Sequence, residues 1–267
     1  MNDIRVKSWR DLIDALYDIP QNQFRRHRSD FVYRGLADHT WVDLKTSLMR
    51  LGGNYAAVER PLLRNFRKYA QTGWLPAGGD WLHLAVAQHH GLPTRVLDWT
   101  VSPQVAVHFA TAEQQHYDKN GVIWCIDVVE ARNLLPTKLL DILHNEYAYL
   151  FSVEMLEKHI RTLEEFDDLA AEKGPFVLFF EPPSLDARIV NQGAIMSVMP
   201  GPNLTVGDLL RHQPNLYRRI IIPKDLKWEV RDKLDQDNIT ERMLFPGLGG
   251  LSTWLKRYYG PGPAQNP

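Results

Sequence analysis

The run Gly121-Val122-Ile123-Trp124-Cys125-Ile126-Asp127-Val128 constrains the fold more than any other stretch of this chain. It follows an Asn120-Gly121 turn and is rich in β-branched and aromatic residues. Its apolar residues are consecutive, so both faces of the strand it forms must be covered. Phe176-Val177-Leu178-Phe179-Phe180, ended by Pro182-Pro183, and Tyr217 through Pro223 have the same character. Phe31 through Gly35 and Arg95 through Thr100 read as further strands, and a helix or loop from Ala187 leads into another near Gly193. Buried strands of this kind need helices packed on them.

The intervening segments supply those helices. Ser8 caps an amphipathic helix with Asp11 three residues on, and Trp9, Leu12, Ile13 and Leu16 share its face. Tyr55–Tyr69 carries Val58, Leu62, Phe66 and Tyr69 on one stripe, and Pro61 is expected to start or kink that helix. Asp80 is expected to cap a helix that Gly91 stops. Ser102-Pro103 places a cap and a first-turn proline ahead of a helix running to about His116, with Val105, Ala106, Phe109 and Ala110 inward. Leu134 to about Ala171 reads as mostly helical, and short helices are expected at 228–235 and from Thr240, ahead of the stretch 251–258. The expectation is one α+β domain over residues 31–258, with a mixed or antiparallel central sheet flanked by helices. An N-terminal helix and basic loop (1–30) precede it, and a Pro/Gly/Asn-rich tail (259–267) follows, expected to fray.

Composition narrows the function classes. A net charge of -1 over 267 residues argues against binding nucleic acid through bulk electrostatics. The cluster Arg25, Arg26, His27 and Arg28 reads either as a solvated loop or as a phosphate or nucleic-acid contact. One cysteine, Cys125, fits a reducing compartment such as the cytoplasm, and its place in the apolar run marks it as core. No stretch is apolar enough to span a membrane, and the first residues lack the apolar core of a signal peptide.

Chemistry concentrates between Gln88 and Pro103, which holds His89, His90, Arg95, Asp98, Trp99, Thr100 and Ser102. Adjacent helical histidines point about 100° apart and chelate one ion poorly, so no metal site is expected. No phosphate-loop, dinucleotide or nucleophile-elbow motif is present. Asp98 needs a partner if buried, and Arg95 or a histidine is the natural one. Trp99 either stacks on a planar ring or fills the core. Thr100 and Ser102 stand where strand gives way to helix, a corner that favours anions. Arg34 shares a face with Val32, and its planar fork suits a phosphate or carboxylate in a cleft or a surface ion pair. Gln192 either meets a ribose hydroxyl or closes a turn.

These residues resemble the FRG-domain family. Tyr33-Arg34-Gly35 is similar to its short motif and Gln88 through Pro103, with Ala106 and Phe109-Ala110, to its long one. Arg188-Ile189, Gln192, Gly193, Ile239-Thr240-Glu241 and Leu244-Phe245-Pro246 are similar to later elements. The resemblance implies an FRG-like domain and a toxin or phage-defence effector. A weaker resemblance links the chain to arginine-type ADP-ribosyltransferases. Tyr33-Arg34-Gly35 is similar to their first strand end, and Thr100-Val101-Ser102, with Ala106 and Phe109, to their second. Where that pattern has a catalytic glutamate, this chain has Gln192.

This second resemblance implies an ADP-ribosyltransferase-like fold and NAD as substrate, with no metal. Catalytic roles would fall to Arg34, His90, Asp98 and Gln192. Tyr33, Arg34, Gly35, His89, Arg95, Trp99, Thr100 and Ser102 would line the nucleotide site. The product would be a transferred ADP-ribose or hydrolysed NAD, with a protein or nucleic-acid target, an antitoxin partner and no membrane. Two alternatives stay open: a non-catalytic module binding a nucleotide or nucleic acid, and a metal-independent nuclease using His89, His90 and Asp98.

Overall fold

The computed structural model describes residues 3–19, 21, 25–70 and 73–262. Among the described residues, eight strands form one sheet: β1 (Asp3–Arg5), β2 (Phe31–Leu36), β3 (Leu97–Thr100), β4 (Gly121–Asp127), β5 (Phe151–Ser152), β6 (Leu178–Glu181), β7 (Ala194–Val198) and β8 (Tyr217–Ile222). Their spatial order is β1-β8-β4-β2-β3-β7-β6-β5. The edge pairs β1/β8 and β5/β6 are parallel and the pairs between them antiparallel, so the sheet is mixed and the fold is α+β.

The pairing is uneven. β2 pairs with β4 along its whole length, from Phe31↔Asp127 to Leu36↔Val122, and β3 pairs with β7 from Leu97↔Ser197 to Thr100↔Ala194. Between β2 and β3 the register holds at Tyr33↔Thr100 alone. The sheet is therefore two four-stranded halves joined at one residue pair.

Packing follows the same division. β4 alternates as the apolar run demands: Val122, Trp124 and Ile126 face one cluster, Ile123 and Cys125 another. The first cluster spans both halves, joining Val32 and Ile221 to Trp99, Phe179 and Ile195. On the opposite face each half has its own core. Under β2, β4 and β8, helices Trp9–Tyr17, Pro103–Thr111 and Lys227–Gln236 supply Leu12, Leu16, Ala106, Val107, Val230 and Leu234. Under β6 and β7, helices Asp80–His89, Thr137–Asn145, Val153–His159 and Leu163–Asp168 supply Trp81, Leu139, Leu156 and Phe166. A continuous core on one face with two separate cores on the other lets the sheet part without losing its joint.

Several expectations are corrected. Gly79, not Asp80, is the cap residue of the Asp80–His89 helix. Glu157 Oε1 reaches over and accepts from the N–H groups of Gly79 and Leu82 at 2.7 and 3.0 Å. Asp80 is thereby released to accept from Arg67 at 2.6 Å. The Tyr55–Tyr69 helix runs through Pro61 without a break, and its buried residues are Glu59 and Leu63, while Val58 and Tyr69 are exposed. The helix turns that way because Glu59 meets a buried arginine, described below. Pro103–Thr111 ends before the expected His116, where Gln114–His116 forms a separate 3-10 turn. The short edge strands β1 and β5 add to the strands expected from sequence. Of the tail expected to fray, residues 263–267 lie outside the described residues. Among the described residues no helix is long and apolar enough to cross a membrane.

A buried ion network ties the C-terminal helices to Pro103–Thr111. Arg231, fully buried, donates to His108 Nδ1 at 2.8 Å and to Glu241 Oε1 at 3.1 Å. Arg257 donates to Glu241 at 2.7 and 2.9 Å and to Asp235 at 2.9 and 2.6 Å. Burial, reinforced by the charge of Arg231, pushes the His108 imidazole down to about 3. Burial opposes ionisation of Glu241, but the hydrogen bonds from Arg257 and the charge of Arg231 hold it down to about 2. Both folded values lie below the unfolded ones. The stabilisation is complete above the unfolded histidine value and is lost as pH falls, first through His108 and then, in strong acid, through Glu241. Between pH 6.5 and 4 the His108 contribution approaches a slope of about 1.4 kcal/mol per pH unit. His108→Gln keeps an acceptor for Arg231 and removes the titration. Its urea midpoint is expected to fall less than that of the wild type over this range, and parallel curves would refute the assignment.

Candidate functional site

A cleft of about 380 Å³ opens at the parting of β2 and β3, a volume within the usual range for small-molecule sites. Arg34 spans it. The residue leaves β2 on the face opposite Tyr33, and its Nη1 donates across the split to the backbone carbonyl of Asp98 on β3. Its buried Nε–H has no acceptor among the described residues. Burial lowers the pKa of Arg34 from its ordinary value and the carboxylate of Asp98 works against that fall. A guanidinium so placed is a donor short of acceptors, which an anionic ligand supplies.

Gly35 explains the local fold. A Cβ there would lie 1.9 Å from the carbonyl oxygen of Ala106 and 2.6 Å from the nitrogen of Ala110. Only a glycine lets the Pro103–Thr111 helix lie directly on β2. Tyr33 is fully buried beside that helix, with its hydroxyl 2.7 Å from Ser29 Oγ, and burial raises its pKa.

Asp98 is exposed in the cleft and held from behind. Gln88 Nε2 donates to Asp98 Oδ2 at 2.7 Å. Gln88 Oε1 in turn accepts from Thr94 Oγ1 at 2.5 Å, and the Thr94 N–H donates to Ser47 Oγ at 3.0 Å. This relay fixes the carboxylate without neutralising it. The expected Arg95–Asp98 pair does not form. Arg95 is buried away from the cleft, where Nε and Nη2 grip Glu59 (2.6 Å from Nε) and Nη1 meets Asp167 at 2.6 Å. Burial disfavours the Arg95 charge, but these two carboxylates raise its pKa above the ordinary value. With its donors so engaged, Arg95 braces the turn before β3.

The remaining predicted residues divide. Trp99 is 3% exposed and lines the cleft wall, its Nε1–H donating to Ser197 Oγ at 2.8 Å and its ring edge-on to Phe179. Thr100 also lines the wall and closes the corner. Its Oγ1 donates to the Gln192 carbonyl at 2.6 Å and accepts from the Ser102 N–H at 2.9 Å. Ser102 caps the helix through Val105 N and is not among the lining residues. Gln192 lines the cleft, but its Nε2 is bound to the Leu244 carbonyl at 2.9 Å. His89 lines it too, its Nε2 donating to Asp186 at 2.7 Å. Burial works against the Asp186 charge, and the backbone N–H groups of its helix together with His89 hold its pKa below the usual range. His90 is exposed at the helix end and faces a side depression rather than the cleft.

Sequence reasoning missed the cleft's other cations. Lys45, Arg50 and Arg188 join Arg34 against two lining carboxylates, Asp98 and Glu113, so the cleft is electropositive in a chain that is nearly neutral. Trp41 and Phe109 provide aromatic surface at the Glu113 end. Gln88 and Thr94 lie inside the Gln88–Pro103 segment, but a neutral amide and a hydroxyl there give no sign of the relay they form. Cys125 is inert core: burial pushes its thiol up to about 12. Among the described residues, no group of three or more His, Cys, Asp or Glu is placed to hold a metal ion.

A family profile described as FRG domain matches residues 29–119. No curated protein and no solved structure matches the chain. The matched span includes β2, β3 and the Pro103–Thr111 helix, and with them Arg34, the Gln88 relay, Asp98 and the corner at Thr100. The segment that builds the parted joint of the sheet is therefore the one that matches the FRG domain.

Proposed function

We propose that the cleft binds NAD and breaks its nicotinamide–ribose bond, passing the ADP-ribose to an acceptor or to water. The observation that carries this reading is Arg34 crossing the parted strands to Asp98, in a pocket with four cations and two carboxylates. A dinucleotide brings two phosphates for the cations, and its planar rings suit the aromatic end at Trp41 and Phe109. As the bond to nicotinamide breaks, positive charge develops on the ribose, and a fixed carboxylate stabilises it. Asp98 is the group suited to that role, because it is exposed in the cleft and its geometry is set by Gln88. Gln192 occupies the wall as a neutral amide engaged with Leu244, which suits it to shaping the pocket.

Such an activity would make the protein an effector of the toxin or phage-defence kind, acting in the cytoplasm on its NAD pool and restrained by an antitoxin. The reading is tested by incubating purified protein with NAD and measuring nicotinamide release and ADP-ribose transfer to cell extract. The expected result is release that depends on Arg34. NAD that is neither bound nor consumed refutes it. The amide at Gln192 favours a second reading, a module that binds nucleotide without turning it over. That reading predicts saturable NAD binding with no nicotinamide released.

A further inference from the structure

Beside the cleft lies a second depression of about 510 Å³. Ser47, Gln88, His89, Asp98 and Arg188 line both spaces, whereas His90, Gly91 and Leu92 belong to the side chamber alone. The two chambers therefore meet at Asp98, and a carboxylate shared by two chambers suits a reaction with two substrates.

The side chamber has a definite chemistry. Arg188 lies over the Phe245 ring, 5.1 Å from its centroid, and donates from Nη1 to the His89 carbonyl at 3.2 Å. Its buried Nε–H has no acceptor among the described residues. The exposed His90 ring stands edge-on to His89 at 5.1 Å. Gly91 has φ +81, and nothing lies within 4 Å of where its Cβ would be, so backbone is open to a ligand there. Among the described residues, Asp98 is the one carboxylate in the lining. A lysine or arginine acceptor would be repelled by Arg188, whereas a phosphate is attracted and matched by its planar fork. The chain's net charge of -1 provides no bulk attraction for a long polyanion, so recognition is confined to one or two phosphates.

Resting on the NAD reading of the main cleft, we infer that the side chamber takes the phosphorylated end of a nucleic-acid strand as acceptor. Arg188 and His90 hold the phosphate, and a neighbouring hydroxyl faces Asp98. In the transfer, the bond from ribose C1′ to the nicotinamide nitrogen breaks and its electron pair leaves with nicotinamide. The strand's hydroxyl oxygen forms the new bond to C1′, and its proton passes to the Asp98 carboxylate and then to solvent.

The test begins without NAD. A short single-stranded oligonucleotide carrying a terminal phosphate, the same strand without it, and a nucleoside monophosphate are titrated into wild-type protein, His90→Ala and Arg188→Gln. Wild type is expected to prefer the phosphorylated strand by about tenfold or more. Its salt slope should be about −0.7 per phosphate held, for one or two phosphates. Both variants lose the preference, and the double-labelled reaction with NAD places ADP-ribose on the strand. Equal affinity for the two strands overturns the inference, and so does a monophosphate that binds as tightly as the strand. Transfer to protein but never to a phosphorylated strand also overturns it. NAD titration of the same wild-type sample separates the two readings. NAD binding without a phosphate preference sinks this inference alone, and a phosphate preference without NAD binding sinks the NAD reading and the transfer step together.

Discussion

Gly35→Ala is expected to leave little folded protein. The added methyl would fall 1.9 Å from the Ala106 carbonyl oxygen and 2.9 Å from its carbon, both backbone atoms of a packed helix. Backbone cannot rotate away as a side-chain tip can, so the Pro103–Thr111 helix would have to lift from β2. That would open the core around Ala106, Val107, Ala110 and Ile123. The expected cost is upwards of about 3 kcal/mol, a large share of the stability of a typical domain. Urea denaturation and soluble yield measure it. Gly249→Ala is the control, since nothing lies within 4 Å of its Cβ position and it sits in the Leu248–Tyr258 helix. That change should leave stability unchanged or raise it. A Gly35→Ala protein with the wild-type midpoint would contradict the packing described for the Tyr-Arg-Gly segment.

Asp98→Asn is expected to preserve the fold and the NAD affinity while lowering nicotinamide release by about 10² to 10³. The asparagine oxygen still accepts from Gln88 Nε2, so the relay through Thr94 and Ser47 keeps its geometry. What disappears is the negative charge opposite the developing cation on the ribose. Arg34 loses the carboxylate that supports its buried charge, but its Nη1 keeps the backbone carbonyl of residue 98 as acceptor, so the guanidinium stays in place. Gln192→Ala is the counterpart. It removes the hydrogen bond to the Leu244 carbonyl and enlarges the pocket, so its effect should fall on binding more than on turnover. A Gln192→Ala protein impaired in turnover more deeply than Asp98→Asn would reverse the roles assigned to the two residues.

Much of the fold is legible in the sequence because its central strands are apolar on both faces. The run at 121–128 has to be covered twice, and clusters on both sides of β4 cover it. β1 and β5 are not legible because a three-residue and a two-residue strand carry no periodicity; their partners define them. The parting of β2 from β3 is hidden for a related reason. It is a property of register between segments over sixty residues apart, where Tyr33↔Thr100 is the one pairing formed.

The candidate site is legible in part. Arg34, Asp98 and Gln192 reach one cleft from three elements, as the motifs suggest they would need to. Arg95 reads as a partner for Asp98 because the two are close in sequence. Its true acids are Glu59 and Asp167, which arrive from distant helices, and local spacing says nothing about them. The motif gives His90 a catalytic place, but the helix end turns His89 into the cleft and His90 out of it. Lys45 and Arg50 reach the cleft from outside every motif, so no local signal marks them.

Calorimetric titration of NAD into wild-type protein and Arg34→Gln decides whether the parted sheet is a nucleotide site organised by Arg34. Saturable binding at one site per chain is expected in the wild type. In the variant, whose guanidinium no longer reaches from β2 toward the ligand, binding should be weaker by about tenfold to a hundredfold while cooperative unfolding persists. Wild-type protein that binds no NAD, or a folded Arg34→Gln protein that binds it equally well, would show that Arg34 does not organise a nucleotide site.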